Sequence, residues 1–234
     1  ARQAALLSEA VDAYARTVAT EASSEPTGDD ISLADEAYQA LIAFRLEHGQ
    51  LSAATQALAG ALEFLDAQIV VLPKGRLYRE WNKALERPLA RQWPPLAVQF
   101  LRAGSVAPAE TIFAKLTEYF RQAGKREPIL LNDAGWFIVV EPGQPAAAYA
   151  QALAWAQRAV ELSPNNGALR NTLGVAQYRA GQFAAAVETL APDSKHPADV
   201  AFLAMAHHQL GNDDDARQRL DELRDLLELP RWQD

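Results

Sequence analysis

The side chains with the most chemical potential are the adjacent His207 and His208 and the aspartates that follow, Asp213, Asp214 and Asp215. Imidazole and carboxylate together hold metal ions, and the same pair acts as a general base in hydrolysis. The spacing argues against a metal site. Neighbours at i and i+1 on a helix diverge by about 100° and do not converge on one ion. The aspartates follow Asn212 where an apolar-periodic segment begins. A side chain there accepts from free backbone N–H groups, and the helix dipole favours negative charge. They are therefore read as a helix start. Ser105, Ser163 and Ser194 fall in expected turns outside any Gly-x-Ser-x-Gly elbow. Neither Gly-x-Gly-x-x-Gly nor Gly-Lys-Ser/Thr occurs, so no phosphate loop is expected. The absence of cysteine removes disulfides, thiolate chemistry and cysteine-ligated zinc. No cofactor and no metal are expected, and the chain is not read as an enzyme.

Charge supplies a different candidate. Between Lys74 and Arg91 the chain carries Lys74, Arg76, Arg79, Lys83, Arg87 and Arg91 against Glu80 and Glu86, a local excess of four positive charges. The whole chain has 22 basic and 30 acidic residues, a net charge of -8. Arg79, Lys83 and Arg87 recur every four residues and stripe one helical face until Pro88 interrupts it. Tyr78, Trp81 and Trp93 are interleaved. Such a stripe suits an acidic segment of a protein partner; the plainer alternative is a solvated face whose aromatics turn into the core. Nucleic acid is not expected as a partner of so acidic a chain.

The elements that position these residues follow from an internal repeat. Asn171-Thr-Leu-Gly-Val-Ala-Gln-Tyr-Arg-Ala-Gly181 returns thirty residues later as Ala201-Phe-Leu-Ala-Met-Ala-His-His-Gln-Leu-Gly211. Leu173, Gly174, Gly181, Ala186 and Leu190 are matched by Leu203, Ala204, Gly211, Ala216 and Leu220. One such helix-turn-helix unit cannot bury its apolar face alone, so copies stack. Gly174 with Ala186, and Ala204 with Ala216, are the small residues expected to let antiparallel helices approach. Gly181 and Gly211 are expected to supply the reversal at positive φ.

Anchoring on the turn glycine finds weaker copies at Leu41, Gly49, Ala54 and Leu58, and at Leu96, Gly104, Ala109 and Phe113. A further unit runs through Gly135, Ala152, Ala156, Ala159 and Pro164, its first turn lengthened between Pro142 and Pro145. Five units result. The pattern predicts helices near 3–21, 32–48, 51–66, 75–87, 95–103, 107–123, 129–140, 146–162, 167–180, 183–190, 197–210 and 213–228, with no strands. The apolar run 69–72 is read as a buried connector and 22–30 as a linker. Three regions are expected: 1–31, an N-terminal helix and linker; 32–128, irregular repeats with the basic insertion 74–91; and 129–229, three regular units. No apolar run approaches the roughly eighteen residues of a membrane-spanning helix. A cytoplasmic location without membrane contact is expected. The opening Ala1 is read as the cut end of a longer protein.

These segments resemble tetratricopeptide repeats, whose pattern places Leu-Gly, an aromatic, a turn glycine, Ala, an aromatic or Leu, Ala and Pro at this spacing. The resemblance implies an all-α solenoid whose first helices line a concave groove. By family position the groove residues are Asn132, Trp136, Asn171, Val175, Tyr178, Arg179, Ala201, Met205, His208 and Gln209. The family's clamp for a C-terminal carboxylate wants Lys and Asn at several of these places; only Asn171 corresponds, so a receptor for chaperone tails is not implied. Residues 130–228 are also similar to C-terminal repeat segments of large bacterial signalling proteins such as serine/threonine kinases. The chain itself lacks the kinase Gly-rich loop and the His-Arg-Asp and Asp-Phe-Gly motifs. The resemblance implies a scaffold or regulatory module that binds a peptide or partner protein. The alternatives are the regulatory C-terminal part of a larger signalling enzyme and a stand-alone hydrolase, which would need polar residues converging in a closed pocket.

Overall fold

The computed structural model describes residues 9, 28–70, 86, 88–193 and 196–229. All its regular elements there are helical, and they form five consecutive pairs. These are α1 (Gly28–Glu47) with α2 (Leu51–Val70), and α3 (Trp93–Arg102) with α4 (Val106–Gln122). Then follow α5 (Glu127–Val139) with α6 (Ala146–Leu162), α7 (Gly167–Arg179) with α8 (Phe183–Leu190), and α9 (Pro197–Gln209) with α10 (Asp213–Leu227). The fold is the all-α, tetratricopeptide-like arrangement of helix-turn-helix units. Packing divides the chain into two units, Ala1–Glu118 and Tyr119–Asp234.

Four of the five pairs turn in the same way. After α7, the N–H of Gly181 donates to the Tyr178 carbonyl at 3.0 Å and that of Gln182 to the Gln177 carbonyl at 2.8 Å. This is the Schellman motif, and it requires a left-handed residue at its centre, here Gly181 at φ 77°. The bonds recur at Gly211 and Asn212, at Gly49 and Gln50, and at Gly104 and Ser105. The α5–α6 turn is longer and is held differently. The Tyr149 hydroxyl donates to the Glu141 carbonyl at 2.8 Å and accepts from the Gln144 N–H at 3.1 Å.

In the first unit α1 packs on α2 and α3. Leu41, Ile42, Leu58, Leu65, Trp93 and Phe100 are buried there. In the second unit each pair packs on the next: α6 meets α7, α8 meets α9, and the first helices α5, α7 and α9 touch in sequence. Alanine and glycine fill the seams, with Ala134, Ala152, Ala156, Ala159, Ala186 and Ala206 all buried. Gly174 is the tightest point: a Cβ built there would lie 2.4 Å from Leu190 Cγ. The partner expected from the pattern was Ala186, which is buried but is not the residue that fills the space beside Gly174. The helices come so close because Leu190 needs the volume that a side chain at Gly174 would occupy.

Several expected boundaries shift. Gly28, Asp29 and Asp30, read as linker, open α1. Ile69 and Val70, read as connector, extend α2, since no breaker separates them from Asp66; residues 71 and 72 lie outside the described residues. Residues 88–91 are helical, and the Gln92 N–H donates to the Pro88 carbonyl at 2.8 Å. The expected helices 3–21 and 75–87 lie outside the described residues, apart from helical Glu9 and Glu86.

The expected side-chain cap at Asn212 does not form. Asn166 and His196 do cap, accepting from Ala168 N–H at 3.0 Å and Ala198 N–H at 3.2 Å. Their backbones are extended, with ψ 108° and 133°, whereas the Schellman turn leaves Asn212 at ψ 64°. The extended conformation is the one that aims an N-cap side chain at the first turn.

Candidate functional site

The first helices of the second unit carry all ten of the expected groove residues. On α5, Asn132 and Trp136 are both half-buried. The Asn132 Oδ1 is buried and has no hydrogen-bond partner. A carboxamide oxygen in that state loses the bond it had in water and gains none, which costs about 1–3 kcal/mol.

On α7 the candidates are committed within the fold. Asn171 donates from Nδ2 to the buried Asp199 carboxylate of α9. The Tyr178 ring stands edge-on to Phe202 at 5.3 Å and 71° and tilted to Phe183 at 5.5 Å, two aromatic contacts that hold it. Arg179 donates from Nε to the Val139 carbonyl at 2.9 Å and from Nη2 to the Val140 carbonyl at 3.3 Å. Its guanidinium also lies 5.5 Å from the centre of the Phe202 ring. It therefore neutralises the negative end of the α5 dipole and satisfies carbonyls the helix leaves open. Val175, placed in the groove by family position, is fully buried. The next first helix, α9, packs on α7.

On α9, Met205 and His208 line a cavity of about 410 Å³ with Ala204, Asp213, Ala216 and Leu220. His208 Nδ1 meets Asp213 at 3.1 Å, and His207 Nδ1 lies 3.7 Å from Asp215. Each histidine thus faces a different carboxylate, as the divergence of adjacent helical positions requires. Among the described residues no group of three His, Cys, Asp or Glu side chains has the geometry for a metal ion. Ala201 is half-buried and Gln209 exposed.

Arg79, Lys83 and Arg87 lie outside the described residues, as do Tyr78 and Trp81. Trp93 is described and is core. Its indole N–H donates at 3.0 Å to Asp35 Oδ1, while Gln39 donates at 2.7 Å to Oδ2. Burial pushes the Asp35 carboxyl up to about 7, against the opposing pull of these two bonds and with a small contribution from Glu36. A perturbed carboxyl is a common mark of an active site. Here it is enclosed by core side chains on α1 and α3 and forms a buried polar tie between them.

Sequence reasoning missed three features of this region: the Asp35–Trp93 tie, the cap at His196 and the docking of Arg179 on α5. The cap had a local signal, a polar side chain two residues before the first free N–H groups. The other two join positions 58 and 40 residues apart, and no local pattern marks them.

No helix of the described residues is long and apolar enough to cross a membrane. No protein-family model matches the chain. No curated protein matches it. Among solved structures the chain is similar to YrrB, described as a TPR protein with an unusual peptide-binding site. The identity is 18%, the match covers 84% of this chain and 88% of that one, and the TM-score is 0.42. It is also similar to MamA of AMB-1, at 15% identity, 84% and 93% coverage and a TM-score of 0.41.

Proposed function

We propose that the second unit is a protein-protein interaction module that holds a peptide or partner protein along the concave face of its first helices. The observation that carries this reading is the pair Asn132 and Trp136 on α5: a half-buried indole beside a buried carboxamide oxygen that lacks a donor. Tryptophan is among the side chains that most often dominate an interface, and Trp136 offers a half-buried indole on a first helix. The receptor side is preformed, because Asn171, Tyr178 and Arg179 are held by their own neighbours, so binding loses little conformational entropy there. Asn171, Tyr178 and Arg179 act in this reading as supports of the groove. The stripe Arg79, Lys83 and Arg87 is proposed as a separate surface for an acidic segment. The narrower possibility, the regulatory C-terminal part of a larger bacterial signalling enzyme, rests on the resemblance of residues 130–228.

The test is affinity capture with the wild-type chain beside an Asn132→Ala/Trp136→Ala variant and an Arg79/Lys83/Arg87 charge reversal. Circular dichroism controls for folding. Loss of a common set of captured proteins by the folded α5 variant supports the reading. An unchanged set removes α5 from the interface.

A further inference from the structure

Repeat symmetry lets one part of this chain serve as a template for another. Every residue lining the α9–α10 cavity has a counterpart thirty positions earlier in the α7–α8 pair. Met205 corresponds to Val175, His208 to Tyr178, Ala216 to Ala186 and Leu220 to Leu190. In the earlier pair this face is covered by α9. Phe202 seats its edge on Tyr178, and Val175 and Leu190 are 0% and 3% exposed. In the later pair the same face is open, with Met205 38% and Leu220 43% exposed.

Two substitutions in the pattern widen that face. Ala204 stands where the earlier pair has Gly174, and a Cβ at Gly174 would fall 2.4 Å from Leu190 Cγ. A leucine therefore cannot seat against Ala204 as Leu190 seats against Gly174, and Leu220 stays outward. Asp213 and Arg217 replace Phe183 and Val187, giving the cavity a polar rim around its apolar floor. The rim groups are self-paired, His208 with Asp213 and Arg217 with Asp214 at 2.7 Å. An incoming apolar side chain strands no lone charge.

We propose that this groove takes an amphipathic helix of a partner protein, docked as α9 docks on α7 and α8, with an aromatic side chain inserted between Met205, His208 and Leu220. The repeat interface within the chain specifies the shape of the occupant. Charge specifies its polar face: α10 holds six carboxylates against three arginines, so the docking helix carries net positive charge. The counterpart of Asn171, which holds Asp199 in the template, is Ala201. A docking helix therefore has no polar anchor for an acidic residue at the Asp199 position and does better with lysine there.

The template itself is the probe. A fluorescently labelled, side-chain-stapled peptide of residues 196–210 bearing D199K is titrated into the full 234-residue chain and followed by anisotropy. Saturable binding is expected, weakened about tenfold or more by F202A in the peptide and by Leu220→Asp in the chain. Met205→Glu provides a second variant on the same floor; both protein positions are exposed enough that the fold should hold, as circular dichroism checks. Absence of binding, or equal binding to both variants, overturns the proposal. So does sedimentation showing that the chain alone forms a dimer that Leu220→Asp dissociates, because the occupant would then be a second copy.

Discussion

The helix pairs α7–α8 and α9–α10 share a repeat pattern, the same glycine turn and the same hydrogen bonds across it, yet one is closed and the other open. Gly174 lets Leu190 sink into the seam, and α9 seals the outside with Phe202. At the matching position Ala204 carries a methyl group, and Leu220 lines an open groove. One methyl group at a register position, together with what stacks next, decides whether a repeat is core or surface. Pattern matching treats Gly and Ala at this position as equivalent small residues; packing does not.

The largest effect that would break the comparison is at its centre. Gly174→Leu should unfold the second unit, since overpacking costs about 1–3 kcal/mol even where neighbours can give, and here the obstruction is the body of a buried side chain. Gly174→Ala should already lower the thermal midpoint, and adding Leu190→Ala should recover part of the loss. A melt unaffected by Gly174→Leu would show that the close approach is not what holds the pair.

Next in size is the leucine itself. Leu190→Ala should destabilise by about 2–4 kcal/mol through lost burial and a residual cavity. Leu220→Ala should cost well under half as much, because the side chain already keeps much of its contact with water. Urea titration of both variants gives the two values. Equal costs would mean that the groove is closed in solution.

The smallest effect per step sharpens the contrast by setting the apolar seam at Leu190 against the polar seam of the first unit. Asp35 has its carboxyl raised to about 7 from an ordinary 3.8 by burial. Between those values the folded state keeps a proton that the unfolded chain has released, so stability falls as pH rises through the window. The slope is at most about 1.4 kcal/mol per pH unit, and the loss is complete above the folded value. Asp35→Asn keeps an acceptor for the Trp93 indole, requires the Gln39 carboxamide to turn its oxygen toward the new NH2, and should flatten that dependence. Hydrogen exchange of α1 and α3 amides at pH 5 and pH 8 reads it directly. A slope unchanged in Asp35→Asn would assign the titration to another group.

Much of the fold was legible in the chain because its information is local. The glycine at each turn meets a φ that side chains resist, and the small-residue positions recur at helical spacing, so pairs and boundaries followed within a few residues. Asn166 could be capped because its backbone is extended; Asn212 could not, since the turn before it sets a different ψ. That distinction needs the geometry of the preceding turn. The candidate site was legible only as a set of positions. Asn132, Trp136, Asn171, Tyr178 and Arg179 were found together by register, but which of them are tied to neighbouring helices, as Asn171, Tyr178 and Arg179 are, depends on what each touches.

The amino-acid sequence by itself determined the repeat, the helices and the turns, because backbone preference and apolar periodicity act over a few residues. Only the tertiary structure decided that Arg179 reaches the α5 carbonyls, that Trp93 meets Asp35, and that Leu220 is left facing water while Leu190 is not. Those outcomes depend on which surfaces stacking brings within bonding distance, and stacking is set by volumes contributed from helices far apart along the chain.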